Sequence, residues 1–240
     1  MIDLEYQKDE YDSLLMRYMI KFGSASLDRI EPRQYHKTYS KYFPDLKDKE
    51  FNFLEIGMHK GTSWHMWSMY FGHAQIYGID ISNQFQHRYK RIYSGHSKAY
   101  KDRVHYFIMD STSYKQTNDI MPLSRYGGFF DVIIDDGDHT AVSQVATYHN
   151  FKERLRPGGL YFIEDINDKS GSLKPLWDML EDLEKEGHKV YRYKHTMDYE
   201  TGLTTDNRGG GYKEEYMVAI EHSYTEANLY KAVYDPDSTS

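Results

Sequence analysis

The sequence predicts an α/β fold, in which a mostly parallel, seven-stranded sheet carries helices on both faces and a helical N-terminal extension precedes it. Three observations predict this. From Phe51 onward, short apolar runs alternate with longer amphipathic segments, the pattern of strands and crossover helices. The stretch Phe51–Asp80 reads as strand, glycine turn, helix, strand, with a carboxylate closing the second strand. The chain of 240 residues suits one such domain with a modest appendage, and it shows no internal repeat.

Taken in order, residues 1–48 read as a helical extension or lid. Tyr11, Leu14, Leu15, Tyr18 and Met19 recur at the spacing of one helical face. A second short helix is expected over Tyr35–Tyr42, ending at Phe43-Pro44. Tyr35, His36 and Tyr39 there either pack at a helix–sheet junction or close over a cofactor. Residues 49–222 are expected to form the α/β domain, and 223–240 a polar tail. Strands are expected near 52–56, 75–79, 104–108, 131–135, 159–163, 188–193 and 215–220. Helices are expected near 62–70, 85–98, 113–121, 140–155 and 173–186. Arg156-Pro157-Gly158-Gly159 marks a turn before the fifth strand. The stretch Tyr199–Tyr212, with Gly209-Gly210-Gly211, is long for a strand connection and reads equally as a substrate lid or a plain flexible hairpin.

Composition narrows the function. There is no cysteine, so disulfides and thiolate metal sites are excluded and any metal must rest on oxygen or histidine ligands. That is compatible with the cytoplasm, the expected location. The net charge is −7 with acids and bases interspersed and no basic stripe, which speaks against a nucleic-acid partner. The start lacks the pattern of a signal peptide, and no apolar run is long enough to cross a bilayer, so no membrane partner is expected. Of the 24 tyrosines, some must lie at the surface or in a pocket, and tyrosine-rich N-terminal helices suit a homo-oligomer interface.

Gly57 and Gly61 follow the first strand, four residues apart, and do not make the G-x-G-x-x-G dinucleotide signature. Glu55 sits inside the otherwise apolar strand, where a carboxylate rarely goes without partners. Asp80 ends the second strand, placed for a ribose diol or for capping a turn, and Asp110 repeats the pattern after the third. Such an acidic rim repels a diphosphate but tolerates a cationic sulfonium, which favours S-adenosylmethionine over NAD.

Asp131-Val132-Ile133-Ile134-Asp135-Asp136-Gly137-Asp138-His139 then delivers three carboxylates and a histidine into one turn. Leu160-Tyr161-Phe162-Ile163 ends in Glu164-Asp165. Strands that lie side by side bring Asp136, Glu164 and Asp165 within reach of one ion, and hard oxygen donors suit Mg²⁺. His139 is placed to take a proton from a hydroxyl, since an imidazole can act as a base near neutral pH. The plainer readings are that Asp138 caps the next helix and that His139 is an ordinary first-turn residue. Asp168 is a weaker candidate.

With these residues in view, Phe53-Leu54-Glu55-Ile56-Gly57, Tyr77-Gly78-Ile79-Asp80, Asp135-Asp136-Gly137-Asp138-His139 and Pro157-Gly158-Gly159 with Ile163-Glu164-Asp165 resemble the class I S-adenosylmethionine methyltransferases. More narrowly they resemble the Mg²⁺-dependent sugar O-methyltransferases of macrolide and surface-polysaccharide pathways, over roughly residues 20–220. The resemblance implies a Rossmann-like fold and a sugar-containing small-molecule acceptor. It implies Mg²⁺ on Asp136, Glu164 and Asp165, with His139 and Asp136 catalytic. It implies contacts to ribose and adenine from Asp80 and Asp110, and the expected cofactor site is completed by Glu55, Gly57, Gly61, Asp135 and Tyr35. Asp138 departs from the Ser usual in relatives and places a further negative charge beside the base. Three other readings stay open: a catechol-type O-methyltransferase, a nicotinamide-dependent sugar oxidoreductase, and a non-catalytic binding domain.

Overall fold

The computed structural model describes residues 15, 17–18, 35–86, 90, 94–121, 129–167, 171–195 and 215–223. The strands are β1 (Asn52–Ile56), β2 (Gln75–Asp80), β3 (Val104–Ile108), β4 (Phe130–Asp135), β5 (Leu155–Ile166), β6 (Lys189–His195) and β7 (Glu215–Glu221). They form one sheet in the order β3-β2-β1-β4-β5-β7-β6. Strands β1 to β5 pair in parallel, and β7 runs antiparallel to both β5 and β6. The described helices are α1 (Tyr35–Tyr39), α2 (Thr62–Tyr70), α3 (Lys98–Asp102), α4 (Tyr114–Ile120), α5 (Ala141–Phe151) and α6 (Lys174–Lys185). None is long and apolar enough to cross a membrane.

The period-2 alternation of side chains sends each central strand's apolar residues to both faces of the sheet. Phe53, Ile76, Val132, Ile134, Phe162, Met217 and Ala219 join one apolar layer with α1 and α2. Leu54, Ile56, Ile79, Ile133, Tyr161, Ile163, Val218 and Ile220 join the other with α5 and α6. Helix α6 shows why: Leu176, Met179, Leu180 and Leu183 are buried at the i, i+3, i+4, i+7 spacing of one face. Helix α2 buries seven of its nine residues, because it is covered on the side away from the sheet too. Leu15 lies in the same layer, and Tyr18 meets Tyr70 edge-on with ring centroids 5.5 Å apart. Tyr39, Phe43, Trp67 and Phe71 stack or meet edge-on in that layer. Burying each such ring contributes roughly 1.5–3 kcal/mol.

All seven strands stand where the sequence predicts them, and three details differ. The helix expected over Tyr35–Tyr42 ends at Tyr39, and a 3₁₀ turn over Pro44–Leu46 follows. The helix expected over 140–155 stops at Phe151 and tightens into a 3₁₀ turn over Lys152–Arg154. Buried Arg154 there bonds the Asn150 carbonyl (2.9 Å) and Asn118 (2.6 Å). Arg156–Gly159 is not a turn before β5 but a bulge inside it. The register with β4 jumps from Phe130↔Leu155 to Val132↔Leu160, and Gly158 adopts φ 74°. The bulge keeps its hydrogen bonds, since Gly158 N–H donates to the His222 carbonyl and His222 N–H to that of Gly159. Much of the helix expected over 85–98 lies outside the described residues; α3 follows it, with Ser97 as N-cap. The Tyr199–Tyr212 stretch, Asp168 and the tail beyond 223 also lie outside them.

Candidate active site

The order β3-β2-β1-β4-β5 reverses the chain's direction of growth between β1 and β4. In open α/β sheets ligands bind at that switch, beyond the carboxyl ends of the strands. A cavity of about 790 Å³ opens there, in the size range of small-molecule sites. Five strand ends line it, including Gly57 after β1, Asp80 at β2, Asp110 after β3, Asp136 and His139 after β4, and Asp165 at β5.

Gly57 has φ 91°, in the left-handed region, and its N–H donates to the Ile79 carbonyl at 2.8 Å. A Cβ there would lie 2.0 Å from the carbonyl oxygen of Asp136. The glycine therefore lets two strand-end turns touch, a use the sequence reading did not foresee beside close approach to a ligand. His59 adopts φ 48° and donates its N–H to Asp80 Oδ2 at 2.6 Å, while Ser82 N–H donates to Oδ1 at 2.7 Å. Asp80 thus caps a turn and lines the cavity at once. Asp110 Oδ1 likewise accepts from the backbone and hydroxyl of Thr112, at 2.9 and 2.7 Å.

Asp136, His139 and Asp165 each offer a ligand atom within 4.8 Å of the others, and His139 Nε2 lies 3.5 Å from Asp165 Oδ2. Two carboxylates and an imidazole converging on one cavity wall fit a divalent cation. His139 Nδ1 is a buried atom with no hydrogen-bond partner among the described residues. Thr140, not Asp138, caps α5, accepting from Ser143 N–H; Asp138 accepts from the Ser143 hydroxyl at 2.7 Å.

Five expected site residues do not line the cavity. Glu164 is buried with its carboxylate against the Tyr39 hydroxyl, so the three-residue cluster holds His139 in its place. Tyr35 is fully buried, and its hydroxyl lies 2.8 Å from Asp165 Oδ1 and 2.7 Å from Glu215 Oε1. Asp135 is buried on the α5 side, accepting from Gly137 N–H (3.2 Å) and the Tyr161 hydroxyl (3.4 Å). Loss of solvent pushes its carboxyl up to about 7, only partly offset by those donors. Glu55 is buried within β1, in strand alternation with Phe53. Gly61 is the N-cap of α2 at φ 71°, where a Cβ would meet Phe85 at 3.3 Å.

The sequence reading also missed residues that shape the site. Met58 packs where a side chain at Gly78 would stand, 2.0 Å from the position of its Cβ. Glu215 does have a sequence signal: it alternates with Met217 and Ala219, which places it inward on the α1 side.

Residues 54–166 match the model of the family described as a methyltransferase domain. That span is the β1–β5 core with every acid of the cavity. The likeness is to a methyltransferase domain, over just under half of the chain. Among curated relatives, the domain is similar to the 8-demethyl-8-alpha-L-rhamnosyl tetracenomycin-C 2'-O-methyltransferase of Streptomyces olivaceus, 30% identical over 139 residues. That match covers 55% of this chain and 33% of the relative. The demethylmacrocin O-methyltransferase of Streptomyces fradiae is 30% identical over 167 residues, 66% of this chain and 37% of the relative. The chain therefore spans about a third of the length of the curated relatives it matches. Among solved structures, the MycE methyltransferase of the mycinamycin pathway, in complex with Mg and SAH, superposes with a TM-score of 0.57 at 22% identity. It covers 90% of this chain and 55% of that one. The described residues thus have a Rossmann-like fold, with β7 inserted antiparallel between β5 and β6.

Proposed function

We propose that this chain is an S-adenosylmethionine-dependent O-methyltransferase that acts on a sugar hydroxyl of a glycosylated natural product or surface polysaccharide, assisted by Mg²⁺. The observation that carries the reading is that the Asp136–His139–Asp165 cluster and the Gly57–Asp80 turn line the same cavity. Cofactor and cation would then meet across one acceptor. Support comes from the relatives, one a methyltransferase of a rhamnosyl tetracenomycin and one of demethylmacrocin.

The acids along the cavity wall discriminate between cofactors. Asp80, Asp110, Asp136, Asp138 and Asp165 disfavour a diphosphate and favour a sulfonium cation. In this reading Asp80 would accept from the ribose hydroxyls and Asp110 would contact the adenine, at the strand ends where open α/β sheets bind ligands. Asp136 and Asp165 would hold the divalent cation, which would supply Lewis acidity to an acceptor hydroxyl. His139 takes the hydroxyl proton, so that the oxygen attacks the methyl carbon as the carbon–sulfur bond breaks. Residues 49–222 are assigned to this domain, with 1–48 as its N-terminal extension and 223–240 as a tail.

Calorimetric titration with S-adenosylhomocysteine, with and without Mg²⁺ and with NAD as control, tests the reading. Binding of S-adenosylhomocysteine and no heat with NAD is the expected result. A preference for NAD, or no binding of either, would remove the proposal.

A further inference from the structure

Strand alternation alone would send Glu164 and Asp165 to opposite faces of β5. The structure puts both toward α1. Between Ile163↔Val218 and Ile166↔Tyr216 the β5–β7 register shifts by one residue, so two residues of β5 face one of β7, a bulge. Asp165 takes the turn with φ 56°, a conformation that costs a non-glycine residue about 1–3 kcal/mol and needs neighbours to hold it. Those neighbours are the tyrosines of α1. Tyr39 donates its hydroxyl to Glu164. The Tyr35 hydroxyl accepts from Asp165 N–H at 3.1 Å and lies 2.8 Å from Asp165 Oδ1. It also lies 2.7 Å from Glu215 Oε1 at the start of β7. All five side chains are nearly or fully buried.

The two oxygens of Asp165 have separate tasks. Oδ1 faces the Tyr35 hydroxyl, while Oδ2 faces His139 at 3.5 Å. We infer that Tyr35 is a positioning residue for the cation site: by gripping both the backbone and Oδ1 of Asp165, it aims Oδ2 into the cavity, and cation binding is thereby coupled to the folding of α1. This rests on the cation reading above. Partners that orient a ligating carboxylate commonly change metal affinity by about 10–100-fold when removed. A second consequence follows from reciprocity: whatever α1 contributes to cation binding, the cation returns to α1 as local stability.

The test compares Tyr35→Phe with Tyr42→Phe. Tyr42 is the matched control, because its hydroxyl bonds Tyr193 at 2.6 Å and does not touch the acids. Mn²⁺ binding is followed by the loss of the free-ion paramagnetic resonance signal, and S-adenosylhomocysteine binding by calorimetry. Tyr35→Phe is expected to weaken Mn²⁺ by about 10–100-fold with S-adenosylhomocysteine affinity unchanged, and Tyr42→Phe to leave both unchanged. Equal Mn²⁺ affinity in Tyr35→Phe and wild type overturns the inference while leaving the proposed function standing. Failure of the wild type to bind Mn²⁺ overturns both. Should Tyr35→Phe not fold, hydrogen exchange of wild-type residues 35–43 decides: saturating Mn²⁺ slows it if the coupling exists, and unchanged exchange overturns the inference.

Discussion

Gly57 and Asp136 share one space: a Cβ on the glycine would stand 2.0 Å from the carbonyl oxygen of Asp136. The turn after β1 and the turn after β4 are therefore pressed together backbone to backbone, and both line the cavity. Gly57→Ala adds a methyl where there is no room and imposes φ 91° on a residue that disfavours it. Overpacking and backbone strain each cost about 1–3 kcal/mol. The midpoint of thermal unfolding should fall by roughly 5–15 °C in a protein of this size. An unchanged midpoint would mean that the turns separate freely.

His139→Ala separates two roles that the geometry allows the imidazole, since it lies in the same cluster as the acids. As a general base it should lower turnover by about 10²–10⁴-fold, while cation and cofactor affinities stay near wild type. Loss of Mn²⁺ binding instead would make it a ligand, and unchanged turnover would remove it from the mechanism.

Asp136→Asn keeps the shape of the side chain and removes its charge from the cluster. The concentration of Mg²⁺ needed for half-maximal activity should rise at least about tenfold, since a carboxylate oxygen is a far better hard-ion donor than an amide. S-adenosylhomocysteine binding measured without metal should persist. Wild-type activity that survives a strong chelator would count against the cation altogether.

At the other end of the sheet, His222 is buried, stacked on His188 with centroids 4.5 Å apart, and paired with the Tyr148 hydroxyl at 2.9 Å. Burial first, then the neighbouring His188, pushes its pKa down to about 3. The unfolded chain would bind a proton near about 6.5. Between those values the unfolded state holds more protons, so stability is full above the unfolded pKa and declines as pH falls through the window. At about pH 4.5 the loss from this residue is on the order of 3 kcal/mol. Urea unfolding of wild type and His222→Gln at both ends of that window measures it. The variant should show a shallower dependence, and equal slopes would deny His222 the role.

The strands were legible because short continuous apolar runs, broken by glycine and acid, leave few alternative readings. The Asp-Asp-Gly-Asp-His run was legible because like charges concentrated in one turn need a ligand or donors to offset them. The Arg156–Gly159 bulge was misread because Pro-Gly-Gly signals a turn locally, whereas β4 pairs the residues before and after it and His222 bonds Gly158 and Gly159, which keeps the segment in the sheet. Glu164 and Asp165 could not be told apart by sequence either. Their assignment hangs on a one-residue register shift against β7, a strand some fifty positions further along the chain.

By itself, the sequence determined the α/β class, the place of each strand, and the acids and histidine gathered at the strand ends, because these follow from local periodicity and from side-chain chemistry. Tertiary structure decided which of those groups share the cavity. Asp135 turned to Tyr161, Glu164 to Tyr39, and Asp165 alone of the later pair turned toward His139. The physical reason is that each carboxylate goes to the donor that packing brings within hydrogen-bond reach. The donors that divide Glu164 from Asp165 are tyrosines of α1, more than a hundred residues earlier in the chain.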